Sequence, residues 1–166
     1  MAAALLAANI QALVRGLANI DAEPLLLANQ INKHLSRHTP STRFATAVFV
    51  VRSRDSGELN YVNAGHNSPI VFRDGSATPL EATGMPRGLL SGAEYEAGAA
   101  IVPFGGTLLL FTDGLTDSIA GNDPASSLRD AISDGPAKTI SNPKLLIDPR
   151  FKEDDITILL LKRTGR

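Results

Sequence analysis

Cysteine and tryptophan are absent from this 166-residue chain, and aromatic residues make up only 5% of it. Without cysteine there is no disulfide, no thiolate metal site and no cysteine nucleophile. Histidine occurs three times, too few without cysteine for a closed structural zinc site. There is no run of lysine or arginine, and the formal net charge is -1. That argues against nucleic acid or an anionic membrane surface as the main partner. The apolar start, Met1 to Leu13, has no basic leader, and polar residues begin at Asn9 and Gln11. It reads as a helix packed on a core, neither a signal peptide nor a membrane span. A cytoplasmic location is expected.

What is present is enough apolar residue, 43% against 20% charged, to build a globular core in a single domain spanning 1–166. Leu5, Leu6, Ile10, Leu13, Val14 and Leu17 recur at helical spacing. A second helix is expected from an N-cap near Asp21, with Pro24 in its first turn and an apolar face of Leu25, Leu26, Ile31 and Leu35. The polar stretch from Ser36 to Arg43 ends it. A β-rich middle follows. Phe44 to Arg52 is a run of β-formers, Asp55-Ser56-Gly57 a turn, and Leu59 to Asn63 a second strand. Ile70 to Arg73 is a strand closed by the tight turn Asp74-Gly75. Glu94 to Val102 and Thr107 to Thr112 are expected to pair antiparallel across Pro103 to Gly106. Ser126 to Ser133 reads as a helix, Asn142-Pro143 and Asp148-Pro149 punctuate a weakly structured connection, and Ile156 to Lys162 is the closing strand. Helices, then hairpin-linked strands, then a helix and a strand give an α+β domain with largely antiparallel sheet.

The chemistry concentrates at two acidic sites. Thr112-Asp113-Gly114 ends the apolar run from Thr107 to Phe111, and Asp154-Asp155-Ile156-Thr157 opens the run from Ile156 to Leu161. Carboxylates at the end of one strand and the start of another converge only if the strands are neighbours, and convergent carboxylates suit a hard divalent cation. The bland alternatives stay open: Asp113 as the N-cap of a short helix to Ile119, and Asp154-Asp155 as a solvated loop whose mutual repulsion a cation or hydrogen bonds would offset. His66, in Asn63-Ala64-Gly65-His66-Asn67, has no nucleophile motif beside it and is expected to fix a turn by hydrogen bonding. The glycines around Met85-Pro86-Arg87 are not a phosphate loop, because no Gly-Lys-Ser/Thr follows, and Arg87 reads as a surface residue. Leu110 to Asp117 is similar to the haloacid-dehalogenase phosphatase signature, but that family's nucleophilic aspartate would fall at Phe111, which excludes it.

Taken in order, Arg43-Phe44-Ala45-Thr46, Tyr61 to Pro69, Gly84 to Leu89, Leu110 to Asp117 and Asp154 to Thr157 resemble the SpoIIE/RsbU-type PPM (protein phosphatase 2C-like) serine/threonine phosphatase domain, over its C-terminal two thirds. The resemblance implies an α/β/β/α sandwich of mainly antiparallel sheets, here N-terminally truncated. It implies a two-metal Mn2+ or Mg2+ centre with Asp113 and Asp154 as ligands and Asp155 as a neighbouring group. It implies hydrolysis of phosphoserine or phosphothreonine proteins by metal-activated water, with substrates such as an anti-sigma-factor antagonist. The family's upstream Gly-Asp and Asp-x-x-Gly-His/Lys-Gly motifs do not occur in this sequence. Weak or absent activity of this chain alone is therefore expected, as is self-association into a homo-oligomer to cover exposed strands. The alternative is a non-catalytic binding or regulatory module acting through its N-terminal helices.

Overall fold

The computed structural model describes residues 2–18, 23–40, 44–84, 94–118, 128 and 155–165. The chain divides into two compact units, 1–66 with 81–100 and 67–80 with 101–166.

The first unit opens with two helices, α1 (Ala2–Ala18) and α2 (Pro24–His38). Leu6, Ile10, Leu13, Val14 and Leu17 of α1 pack against Leu27, Ile31 and Leu35 of α2, as their helical spacing predicts. Leu5 belongs to that spacing but not to that core, and is 67% exposed. The N-cap of α2 is Glu23, not Asp21, which lies outside the described residues. Pro24 at the first helical position has no N–H to satisfy. The next two donors, on Leu25 and Leu26, are taken by the Glu23 carboxylate oxygens at 3.1 and 2.7 Å. No helix among the described residues is long and apolar enough to cross a membrane.

Strands β1 (Ala47–Arg52), β2 (Glu58–Ala64) and β5 (Gly98–Ile101) form a three-stranded sheet in the order β1-β2-β5, with β1 and β2 antiparallel from Ala47↔Ala64 to Arg52↔Leu59. Ala28 of α2 packs with Val62, Ala64 and Tyr95 on this sheet. The backbone of β5 lies tight against β2: a Cβ added at Gly98 would overlap the Tyr61 ring. Tyr61 is buried and has little room to swing. Gly98→Ala is therefore expected to cost about 1–3 kcal/mol in chemical denaturation, the usual penalty of overpacking. Shortening Tyr61 to Leu in the same chain should recover part of it. Burial, and secondarily the Glu81 carboxylate, raise the Tyr61 pKa above its ordinary 10.0. The folded state thus favours the protonated phenol, and this contribution to stability is present below pH 10 and lost as pH rises further.

The second unit holds β3 (Ile70–Arg73), β4 (Ser76–Pro79), β6 (Thr107–Phe111) and β7 (Ile158–Lys162), in the order β4-β3-β6-β7, all antiparallel. Asp74 and Gly75, at φ 47° and 79°, turn β3 into β4, the conformation a two-residue hairpin loop demands. Ile70, Phe72, Leu109, Phe111, Leu115 and Leu128 make its core, joined by Ile156, Ile158 and Leu160. Leu128 is helical and buried; the rest of the expected helix from Ser126 to Ser133 lies outside the described residues, as do Asn142-Pro143, Asp148-Pro149 and Arg87.

The α+β class and the antiparallel sheets are as expected, but one pairing is not. The segment around β5 does not form a hairpin with β6: β5 joins β2, and β6 lies between β3 and β7. The intervening Pro103 to Gly106 is held instead by the end of β7. Gly105, at φ 77°, donates to the Arg163 carbonyl (2.8 Å), and the Arg163 N–H donates to the Gly106 carbonyl (2.9 Å). The Arg163 side chain completes the closure, one guanidinium N–H reaching the Val102 carbonyl at 2.9 Å and its Cζ lying 3.7 Å from the Phe104 ring centroid.

Candidate functional site

Strands β6 and β7 are neighbours, with Phe111 opposite Ile158. The end of β6 and the start of β7 therefore share one end of the sheet, and Thr112-Asp113-Gly114 and Asp155-Ile156-Thr157 meet there. Helix α3 (Asp113–Asp117) begins directly after Thr112. The junction depends on Thr112. Its N–H donates to the Thr157 carbonyl at 3.1 Å, continuing the ladder. A regular antiparallel pair would return the Thr157 N–H to the Thr112 carbonyl. That carbonyl is already used by the Leu115 N–H at 3.0 Å, the first bond of the helical turn. The Thr112 hydroxyl takes its place, accepting the Thr157 N–H at 2.9 Å and donating to the Asp155 carbonyl at 3.3 Å. One threonine thus lets the chain leave the strand for a helix without an unmade bond, and ties the backbone of one acidic motif to the other.

Asp113 is the first residue of α3, not its N-cap; Thr112 occupies the cap position. An Asp113 Oδ1 atom accepts the Gly114 N–H at 3.0 Å, and the rest of this exposed carboxylate faces outward. The turn is pinned from below by Leu115, fully buried in the core of the second unit. Thr116 and Ser118 hydroxyls donate to the carbonyls of Asp113 and Gly114 at 2.8 and 2.6 Å. Asp155 is exposed at the start of the β7 side, and Asp154 lies outside the described residues. These carboxylates have the oxygen chemistry a hard cation selects. Such a cation takes about six ligands, however, and no group of three or more His, Asp or Glu side chains converges among the described residues. The described residues alone do not make a complete Mn2+ or Mg2+ site.

The Thr112 clamp was legible only as two threonines in the right motifs; its pattern of bonds was not. Replacing its hydroxyl with a methyl group in Thr112→Val deletes its bonds to the Thr157 N–H and the Asp155 carbonyl. The expected loss is about 1 kcal/mol in thermal or chemical denaturation, with Thr112→Ser close to the parent.

His66 lies at the end of β2, on the first unit. The turn there is fixed by Asn63 more than by the imidazole: the fully buried Asn63 accepts the His66 N–H on its side-chain oxygen at 2.9 Å, over Gly65 at φ 68°. Asn63 also exchanges bonds with Thr83, through the Thr83 hydroxyl (2.9 Å) and the Thr83 N–H (2.9 Å). The His66 Nδ1 atom is hydrogen-bonded to the Thr46 hydroxyl at 3.0 Å.

A family model described as Stage II sporulation protein E (SpoIIE) matches residues 1–164. The phosphoserine phosphatase RsbP of Bacillus subtilis is 27% identical over 152 residues, covering 83% of this chain and 36% of RsbP. The chain thus spans about a third of that relative's length. Among solved structures, the PP2C phosphatase domain of SpoIIE from Bacillus subtilis, with a fragment of its regulatory domain, aligns at a TM-score of 0.77 and 13% identity, over 94% of this chain and 48% of that one. RsbX in complex with magnesium aligns at 0.67 and 22% identity, over 92% and 70%. At these identities the structural likeness shows the fold: the α+β fold of PP2C-type phosphatase domains.

Proposed function

The chain belongs to the SpoIIE family, and on that premise we propose that it is a metal-dependent serine/threonine phosphatase of bacterial signalling type, hydrolysing a phosphoprotein such as an anti-sigma-factor antagonist. The observation that carries this reading is the β6–β7 pairing, which brings the Thr112-Asp113-Gly114 and Asp155-Ile156-Thr157 motifs to one end of one sheet. Asp113, Asp154 and Asp155 are the carboxylates that would contribute to an Mn2+ or Mg2+ site. The magnesium in the RsbX structure supports that choice of cation. Phosphoryl oxygens are hard ligands that a bound divalent cation would polarise. In this reading residues 1–166 act as one phosphatase domain, in keeping with the span of the family match, and the protein works in the cytoplasm.

The test is Mn2+-dependent hydrolysis of p-nitrophenyl phosphate, followed by a phosphoserine peptide, by the folded chain. Turnover that requires Mn2+ supports the phosphatase reading. Background rates with a folded protein sink it for this chain.

Background rates would favour the second reading, a phosphatase-like binding module. The shortfall of ligands among the described residues motivates it, together with α1, where Leu5 is exposed and Leu6, Ile10, Leu13, Val14 and Leu17 are only partly buried despite their contact with α2. Either reading includes self-association. Leu5, Leu26, Phe44 and Val51 expose apolar surface on the first unit, which a second copy would cover. A mass above the monomer's 17.5 kDa in light scattering at high concentration is the expected result; monomer throughout refutes it.

A further inference from the structure

Two of the chain's three histidines, His34 and His38, stand one turn apart near the C-terminal end of α2. Residues at i and i+4 share one face of a helix. Here the two rings meet, with centroids 4.5 Å apart and planes inclined by 41°. Both side chains are exposed. The helix beneath them is held in place, because Ile31 and Leu35, beside them on the same side of the helix, are buried against α1. The last turn is closed by the Thr39 N–H on the Leu35 carbonyl at 2.8 Å.

We propose that His34 and His38 form a bidentate site for a borderline divalent transition-metal ion: Zn2+, Ni2+ or Cu2+. Imidazole nitrogen is the protein ligand these ions select over carboxylate oxygen. An ion bound at about 2.0–2.1 Å to each of two imidazoles needs their nitrogens roughly 3.4 Å apart in tetrahedral geometry. Rings with centroids 4.5 Å apart meet that requirement by small side-chain rotations. The same i, i+4 spacing is what puts both histidines of a His-Glu-x-x-His helix on one zinc ion. The helix fixes the two backbones in advance, so binding orders only two side chains. Water takes the remaining positions, leaving an open site in place of a closed structural one. Lys33 and Arg37 each precede a ligand and point about 100° around the helix; their charge weakens the site modestly and is screened by salt. The site is chemically orthogonal to the aspartates of the β6–β7 end, which suit hard Mn2+ or Mg2+.

Calorimetric titration of the whole chain with Ni2+ tests this, beside His34→Ala, His38→Ala, the double variant and His66→Ala. The parent and His66→Ala should bind one equivalent. Each single α2 variant should lose affinity on the order of a hundredfold, because a lone imidazole forfeits the chelate gain. Without metal, all four α2 and parent proteins should melt alike, since both side chains are exposed; with Ni2+, only chains with both histidines should gain melting temperature. No binding by the parent at millimolar Ni2+ overturns the proposal. So does undiminished binding by the double variant, which would place the ion on carboxylates or on His66.

Discussion

Asp113→Asn is expected to remove such Mn2+-dependent phosphatase activity as the chain has, while leaving the fold as stable as the parent's. The two halves of this expectation come from different atoms. Asparagine keeps an oxygen where Asp113 Oδ1 accepts the Gly114 N–H, so the start of α3 is preserved. The side chain is exposed, and surface changes of this kind stay within about 0.5 kcal/mol. What the substitution deletes is a negative oxygen ligand. Changes one layer out from a metal already cost about 10–100-fold in affinity or activity. Loss of a direct ligand should cost at least that in turnover and in Mn2+ binding measured by titration. An unchanged rate with unchanged melting would show that Asp113 holds no cation. A fall in rate that tracks a fall in melting temperature would return Asp113 to a structural role at the helix start.

Leu109→Ala should be among the most destabilising single changes, at about 2–5 kcal/mol. Leu109 is 1% exposed, in the middle of β6 between β3 and β7, and packs with Ile70, Phe72, Phe111, Leu115 and Leu128. Truncation leaves a cavity in a sheet whose other strands cannot collapse without breaking register. Leu109→Met, which keeps the volume, should cost under about 1.5 kcal/mol. Urea denaturation measures both. The prediction also bears on the candidate site, because β6 is the strand that carries Thr112 and Asp113; activity should fall with stability in Leu109→Ala and survive in Leu109→Met. A loss near zero in Leu109→Ala would mean that this core does not hold the sheet.

The parts of this fold that depend on local chemistry were legible in the sequence. Ile70 to Arg73 followed by Asp74-Gly75 is a strand and its turn, and the structure has both at those residues, although the return strand β4 went unread. The apolar spacing of α1 located its packed face at Leu6, Ile10, Leu13, Val14 and Leu17. Leu5 was a false member: a residue on the rim of an apolar stripe is covered only if the partner is wide enough, and spacing says nothing of the partner. The N-cap of α2 was misplaced for a related reason. Asp is the better intrinsic capping residue, but it was Glu23, next to Pro24, whose longer side chain could reach back to the Leu25 and Leu26 N–H groups.

The candidate site divides in the same way. The sequence by itself determined that two acidic motifs flank two apolar strands, and that their order matches a phosphatase family, since residue types and spacing are properties of the chain. Only the tertiary structure decided which strands pair. Pro103 to Gly106 has the length of a hairpin loop, yet β6 takes β3 and β7 as neighbours, and β5 goes to β2. Strand pairing is settled by burial and backbone bonding between segments far apart in sequence, so local propensity cannot assign it. The hydroxyl of Thr112 bridges to residues more than forty positions away. It acquires its role only when one strand turns into a helix beside another, and no pattern within either motif specifies that.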